Sequence, residues 1–129
     1  MMKLTSIGAE SGEIPYTAYF AAPSYLKENA DVIQRFTNAV AKALKWVQEH
    51  DARETAEAIA PQFPDTSIST LTTVVQRYKD IDAWQTTPVM EQSALERLET
   101  VMETAGELEH SAWADFDNLV DNSFAEKAS

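Results

Sequence analysis

Between Asn29 and His50 apolar residues recur at the spacing of one helical face, and this stretch constrains the fold more than any other. Val32, Ile33, Phe36, Ala39, Val40, Ala43, Leu44 and Val47 form one wide stripe. Gln34, Arg35, Asn38, Lys42, Lys45 and Gln48 fill the other side. Strand alternation does not produce such a series, whereas an amphipathic helix does. Asn29 stands where a helix cap belongs. So wide a stripe must be covered by other elements, and the rest of the chain has to supply them.

Further helices follow in order. Asp51 lies three residues before Glu54, which is capping-box spacing. The helix it opens carries Ala56, Ala58 and Ile59 and must stop near Pro61. Gln62-Phe63-Pro64-Asp65 reads as a turn. A third helix follows Thr66 or Ser67, with Ile68, Leu71, Val74, Val75 and Tyr78 inward. Lys79 to Thr86 is a loop in which Trp84 either plugs a groove or lines one, the plug being the favoured reading. Thr87-Pro88 reads as a helix start, with Met90, Ala94, Leu95, Leu98, Val101, Met102 and Ala105 inward and Gly106 ending it. Trp113, Phe116, Leu119, Val120 and Phe124 suggest short docking helices or turns.

Before the long helix, Tyr16-Thr17-Ala18-Tyr19-Phe20-Ala21-Ala22, closed by Pro23, is the one convincing strand. A short helical turn starts near Ser24 and carries Tyr25 and Leu26. Residues 1–13 read as a tail with Gly8 and Gly12, and residues 14–129 as a single helical domain. The expected fold is mostly α, with about five helices and one or two short strands. Only 3 glycines among 129 residues agree, since a sandwich or barrel needs many glycine-bearing turns.

Charge narrows the partners. The net charge is −11. Residues 91–129 hold 10 acids and 2 bases, against 11 acids and 8 bases in the first ninety. Such a surface repels phosphate backbones, so no nucleic acid and no anionic membrane are expected as partners. No apolar run is long enough for a membrane span. Met1-Met2-Lys3-Leu4-Thr5-Ser6 meets Gly8 and Glu10 before a signal-peptide core can form, so the chain as written is expected in the cytoplasm.

Catalytic patterns are missing. With no cysteine, thiol catalysis, zinc thiolates and disulfides are excluded. His50 and His110 stand in no metal-ligand spacing. Glu103, Glu107 and Glu109 read as a solvated face without a histidine or basic partner. Thr5, Ser6 and Ser11 flank no nucleophile elbow, and Gly8 with Gly12 makes no phosphate loop. The expectation is therefore no catalytic residue, no metal, no cofactor and no enzyme. Trp46, beside the long stripe, reads as packing. The best candidates for binding are Glu13, Tyr16 and Thr17, with Tyr19 beside them, on or just before the strand.

At this point a resemblance emerges. Gly12-Glu13-Ile14-Pro15-Tyr16-Thr17-Ala18-Tyr19-Phe20-Ala21 resembles the crossover strand of solute-binding proteins that serve ATP-binding-cassette (ABC) importers of nitrate, sulfonate, taurine and thiamin precursors. The domain is often called NMT1/THI5-like, a periplasmic binding protein of type II. Tyr25 to Asn29, Asp31 to Ala39, Ala43 to Val47, Phe63-Pro64-Asp65, Val75 to Lys79, Trp84, Pro88, Gly106-Glu107-Leu108 and Phe124 to Ala128 follow in the family's order.

The resemblance implies a partial lobe of a two-lobed α/β fold and a role in import of small organic or inorganic anions or thiamin precursors. It implies ligand contacts from Glu13, Tyr16 and Thr17, and no tight binding by this part alone. Full-length relatives are extracytoplasmic. Implied partners are an ABC permease, a missing N-terminal half, or a second copy of the chain paired through the uncovered strand and helix faces. The alternatives are a helical interaction or dimerisation module and a thiamin pyrimidine synthase-like enzyme. That enzyme depends on a cysteine-rich motif absent here.

Overall fold

A computed structural model describes residues 11–128. The expectations placed on Thr5, Ser6, Gly8 and the rest of residues 1–10 lie outside the described residues, as does Ser129. Seven α-helices occur among the described residues. These are α1 (Pro23–Glu28), α2 (Ala30–Glu49), α3 (Ala52–Ile59), α4 (Ile68–Asp80), α5 (Gln92–Thr104), α6 (Phe116–Leu119) and α7 (Ser123–Glu126). Two 3₁₀ turns, Ala60–Gln62 and His110–Ala112, join them. The mostly helical expectation holds.

The strand expected at Tyr16 to Ala22 does not form, and no strand occurs among the described residues. An extended segment becomes a strand only when its backbone groups pair with a neighbour. Among the described residues no second extended segment pairs with it. Aromatic and small residues gave this stretch its strand signal, but the pairing had to come from elsewhere.

The core is the α3–α4 pair. Ala52, Ala56, Leu71 and Val75 are buried together, and Ile59, Ala60 and Trp84 pack on them. Alanines on α3 let the two helices approach closely. Trp84 plugs this core as expected, with its ring 5.4 Å from that of Tyr78. Thr55 is buried beside it, and its hydroxyl donates to the Asp51 carbonyl at 2.9 Å, so its polar atom is satisfied. Val74 and Tyr78, expected inward, are substantially exposed, because α3 covers only one side of α4.

Local chemistry explains most helix ends. Asp51 accepts from the Arg53 and Glu54 backbones at 2.8 Å each, and Glu54 accepts from the Asp51 N–H at 3.0 Å, completing the capping box. Ser67 caps α4 by accepting from the Thr70 N–H at 3.2 Å. At the end of α5 the Gly106 N–H donates to Glu103 and the Glu107 N–H to Met102, both at 2.9 Å. Gly106 has φ +76, so this is the left-handed helix stop that favours glycine. Asn29 occupies the cap position of α2 but does not cap it. Its amide donates back to the Tyr25 carbonyl at 3.1 Å, closing α1 instead.

One helix starts later than the sequence suggests. Thr87 accepts from the Val89 N–H at 3.3 Å, but α5 begins only at Gln92, with Glu91 at its N-cap position. Asn122 accounts for the delay. Its side-chain amide holds both backbone groups of Met90, whose carbonyl is thereby drawn away from a helical bond. Downstream, Val101, Met102 and Ala105, expected inward, are exposed, while Glu99 is buried.

The long helix α2 packs on its flanks. Gln34 donates to the Phe124 carbonyl at 2.9 Å, tying α2 to α7, and Gln48 donates to the Trp84 carbonyl at 3.0 Å. Lys79 donates to the His50 carbonyl at 2.8 Å and also to that of Val47, so α4 caps the end of α2. Ile33, Val40, Leu44 and Val47 are half-buried on this side. The expected wide stripe is split, because Val32, Phe36, Ala39 and Ala43 remain exposed.

Candidate functional site

The candidates Glu13, Tyr16 and Thr17 lie on one stretch of chain, running from Ser11 to Ala22 ahead of α1. Contacts with α5 and α2 hold it. Arg97, on α5, donates to the Glu13 carbonyl, and its guanidinium also lies against Gly12. A Cβ at Gly12 would sit 3.4 Å from the Arg97 side chain, and φ there is +72, so glycine suits the position. Further along, Tyr19 meets Phe36 of α2 edge to face, with ring centroids 4.8 Å apart.

Between these anchors Ile14 and Pro15 are half-buried, while Tyr16, Thr17 and Ala18 face solvent. Tyr16 is 97% exposed, Phe20 98% and Tyr19 79%. Glu13 and Thr17 are exposed too. The structure therefore places the three candidates near one another in sequence but does not enclose them. They line neither of the two cavities described next. Side chains so placed could form one wall of a site, with the opposite wall supplied from outside the chain.

A cavity of about 200 Å³ opens between α5 and the loop leading into α6. Glu99, only 6% exposed, lines it and accepts the Ala114 N–H at 2.7 Å. Glu96, Asp115 and Asp117 add three more carboxylates, and no base lines the space. Such a field repels anions. Trp113 also lines it, and its buried Nε1–H has no hydrogen-bond partner among the described residues. The sequence reading missed Glu99 because a glutamate among Ala94, Leu95 and Leu98 looks like surface charge. Its one legible signal was its place four residues after Leu95, on the inward face.

A second, more open space of about 360 Å³ lies between α2 and the Thr86-Thr87-Pro88 turn. Lys45, Gln48 and Glu49 supply its polar side chains together with both threonines.

The histidines take structural places. His50 stacks on Trp46, with ring centroids 3.9 Å apart, and its Nδ1 lies 2.7 Å from the Trp46 carbonyl. His110 lies 3.1 Å from a Glu103 carboxylate oxygen, a pairing that the sequence reading did not foresee. The chain reverses at Gly106 and brings the two side chains together. Among the described residues no group of three or more histidine, cysteine or acidic side chains is placed to hold a metal ion. No helix among them is long and apolar enough to cross a membrane.

No family profile matches the chain. No solved structure matches it. It is 38% identical over 124 residues to a Bacillus subtilis (strain 168) protein named "Putative binding protein YtlA". That alignment takes in 96% of this chain and 36% of YtlA, so the chain spans little more than a third of its relative's length. Along nearly its whole length, then, the chain is similar to one part of a longer protein that bears the name of a binding protein.

Proposed function

We infer that this chain contributes one part of a solute-binding protein and acts by binding rather than by catalysis. The observation that carries this reading is the similarity to YtlA along nearly the entire chain. The resemblance to binding proteins of ABC importers extends it. The solute would be a small organic or inorganic anion or a thiamin precursor, delivered to an ABC permease. Glu13, Tyr16 and Thr17 would form one wall of the cleft.

One structural feature supports the reading. The three side chains are exposed and anchored at both ends of their segment, by Arg97 and by Phe36, so they are presented rather than buried. A lone wall cannot enclose a ligand, and binding sites bury most of their ligand's surface. This part alone should therefore bind weakly.

Isothermal titration with taurine, nitrate and a pyrimidine tests the reading. It would use this chain alone and a chimera in which the chain replaces the matched region of YtlA. The chimera should bind one of the three solutes, the isolated chain none, and Tyr16→Ala should weaken the chimera. Low micromolar binding by the isolated chain, or no binding by the chimera, would overturn it.

A further inference from the structure

Arg97 stands apart from the rest of α5. The helix carries Glu96, Glu99 and Glu103, and Arg97 is its only base. A base on a helix reaches acids three or four positions away. At those positions Arg97 has Ser93, Ala94, Thr100 and Val101, none of them acidic. Among the described residues it makes no ion pair. Its charge turns to main chain instead. The guanidinium donates to the Glu13 carbonyl and lies over Gly12, with Nε 3.4 Å from where a Cβ would stand. Hydrogen bonds from a charged donor are the stronger class.

The residues after Glu13 carry this hold further along the chain. Ile14 precedes a proline, which restricts it to extended backbone. Pro15 has its φ locked by its ring. Both are half-buried. The two residues between Glu13 and Tyr16 thus have little freedom to swivel. Tyr16 and Thr17 are exposed, so no packing of their own fixes them. On the other side, Gly12 turns with φ +72 and offers bare backbone for the guanidinium to lie against.

We propose that Arg97 is a positioning residue of the solute site. By clasping the Gly12–Glu13 backbone it sets where Tyr16 and Thr17 stand, and it does not itself touch the solute. The assignment rests on reading these side chains as a cleft wall. A wall set in place beforehand loses less conformational freedom on binding, and the difference appears as affinity. The clasp uses only the Glu13 main chain, which leaves the Glu13 carboxylate for the solute.

Backbone ¹⁵N relaxation of the isolated chain tests the positioning without any solute. Tyr16 and Thr17 should show order parameters near the rigid value of about 0.85, falling below about 0.6 in Arg97→Ala. Arg97→Lys keeps a charged donor and should recover part of the difference. Circular dichroism checks that each variant keeps its helices. The second measurement is solute affinity of the YtlA chimera. There Arg97→Ala should raise Kd about tenfold, and Arg97→Lys less. Gly12→Ala crowds the guanidinium and should also weaken binding. The double variant should cost less than the sum of the two, because both break one contact. Glu13→Gln keeps the carbonyl, so Arg97→Ala should cost the same factor in that background. Unchanged order parameters in Arg97→Ala overturn the proposal. So do a chimera whose affinity ignores Arg97, fully additive losses with Gly12→Ala, and a loss that vanishes in Glu13→Gln. A chimera that binds no solute overturns the cleft reading instead, and the order parameters still decide whether Arg97 sets the segment.

Discussion

Asn122 holds Met90 as a neighbouring strand would. The Met90 N–H donates to Asn122 Oδ1 at 3.0 Å, and Asn122 Nδ2 donates to the Met90 carbonyl at 2.9 Å. One amide side chain thus satisfies both backbone groups of a residue 32 positions earlier. It also fastens the C-terminal segment to the turn before α5.

Replacing Asn122 with alanine leaves both partly buried Met90 groups without a partner. Loss of a buried partner costs about 1–3 kcal/mol. Asn122→Ala should lower stability by that amount in urea unfolding. Asn122→Asp keeps the acceptor but loses the donor to the Met90 carbonyl, and should fall between.

The α3–α4 core is small, so each of its side chains matters. Leu71 is 5% exposed against Ala52, Ala56 and Val75. Leu71→Ala should cost about 2–5 kcal/mol, from lost burial plus the cavity left behind. Val74→Ala, one helical face away and substantially exposed, should cost far less. Thermal or urea unfolding of the two variants makes the comparison.

Lys79 reaches across to the Val47 and His50 carbonyls at the end of α2. Its ammonium meets the negative end of the helix dipole there. Lys79→Met keeps much of the aliphatic stem but removes the donor. It should cost about 1.5–3 kcal/mol in unfolding measurements, the value of a hydrogen bond from a charged group. Amide exchange should quicken at the end of α2 before the α3–α4 core is affected.

Asp121 titrates below the usual aspartate range. Hydrogen bonds from the Ser123 side chain and backbone hold its carboxylate charged, helped by Lys127 and opposed by slight burial. The Ser123 N–H donates at 2.9 Å. A folded-state value below the unfolded one means that the stabilising effect is present above the unfolded value. It is lost as pH falls through the folded one. NMR titration should find Asp121 below about 3.9, the ordinary aspartate value. Ser123→Ala should move it back up.

The sequence by itself determined which segments are helical and where several of them stop, because those choices depend on near neighbours. Asp51 with Glu54, Ser67, and Gly106 with its left-handed φ are local chemistry, legible within a few residues. Trp84 as a plug was legible too, being a large apolar side chain in a loop between amphipathic helices. The tertiary structure decided everything that needs a distant partner. Tyr16 to Ala22 looked like a strand, but a strand is made by its neighbour, and none pairs with it among the described residues. Thr87-Pro88 looked like a helix start, but Asn122 holds Met90 and α5 begins at Gln92. The long α2 stripe was plain in the sequence. Only the packing showed that Val40 and Leu44 are half-buried while Phe36 and Ala43 stay largely exposed, because periodicity fixes which face is apolar and not what lies against it.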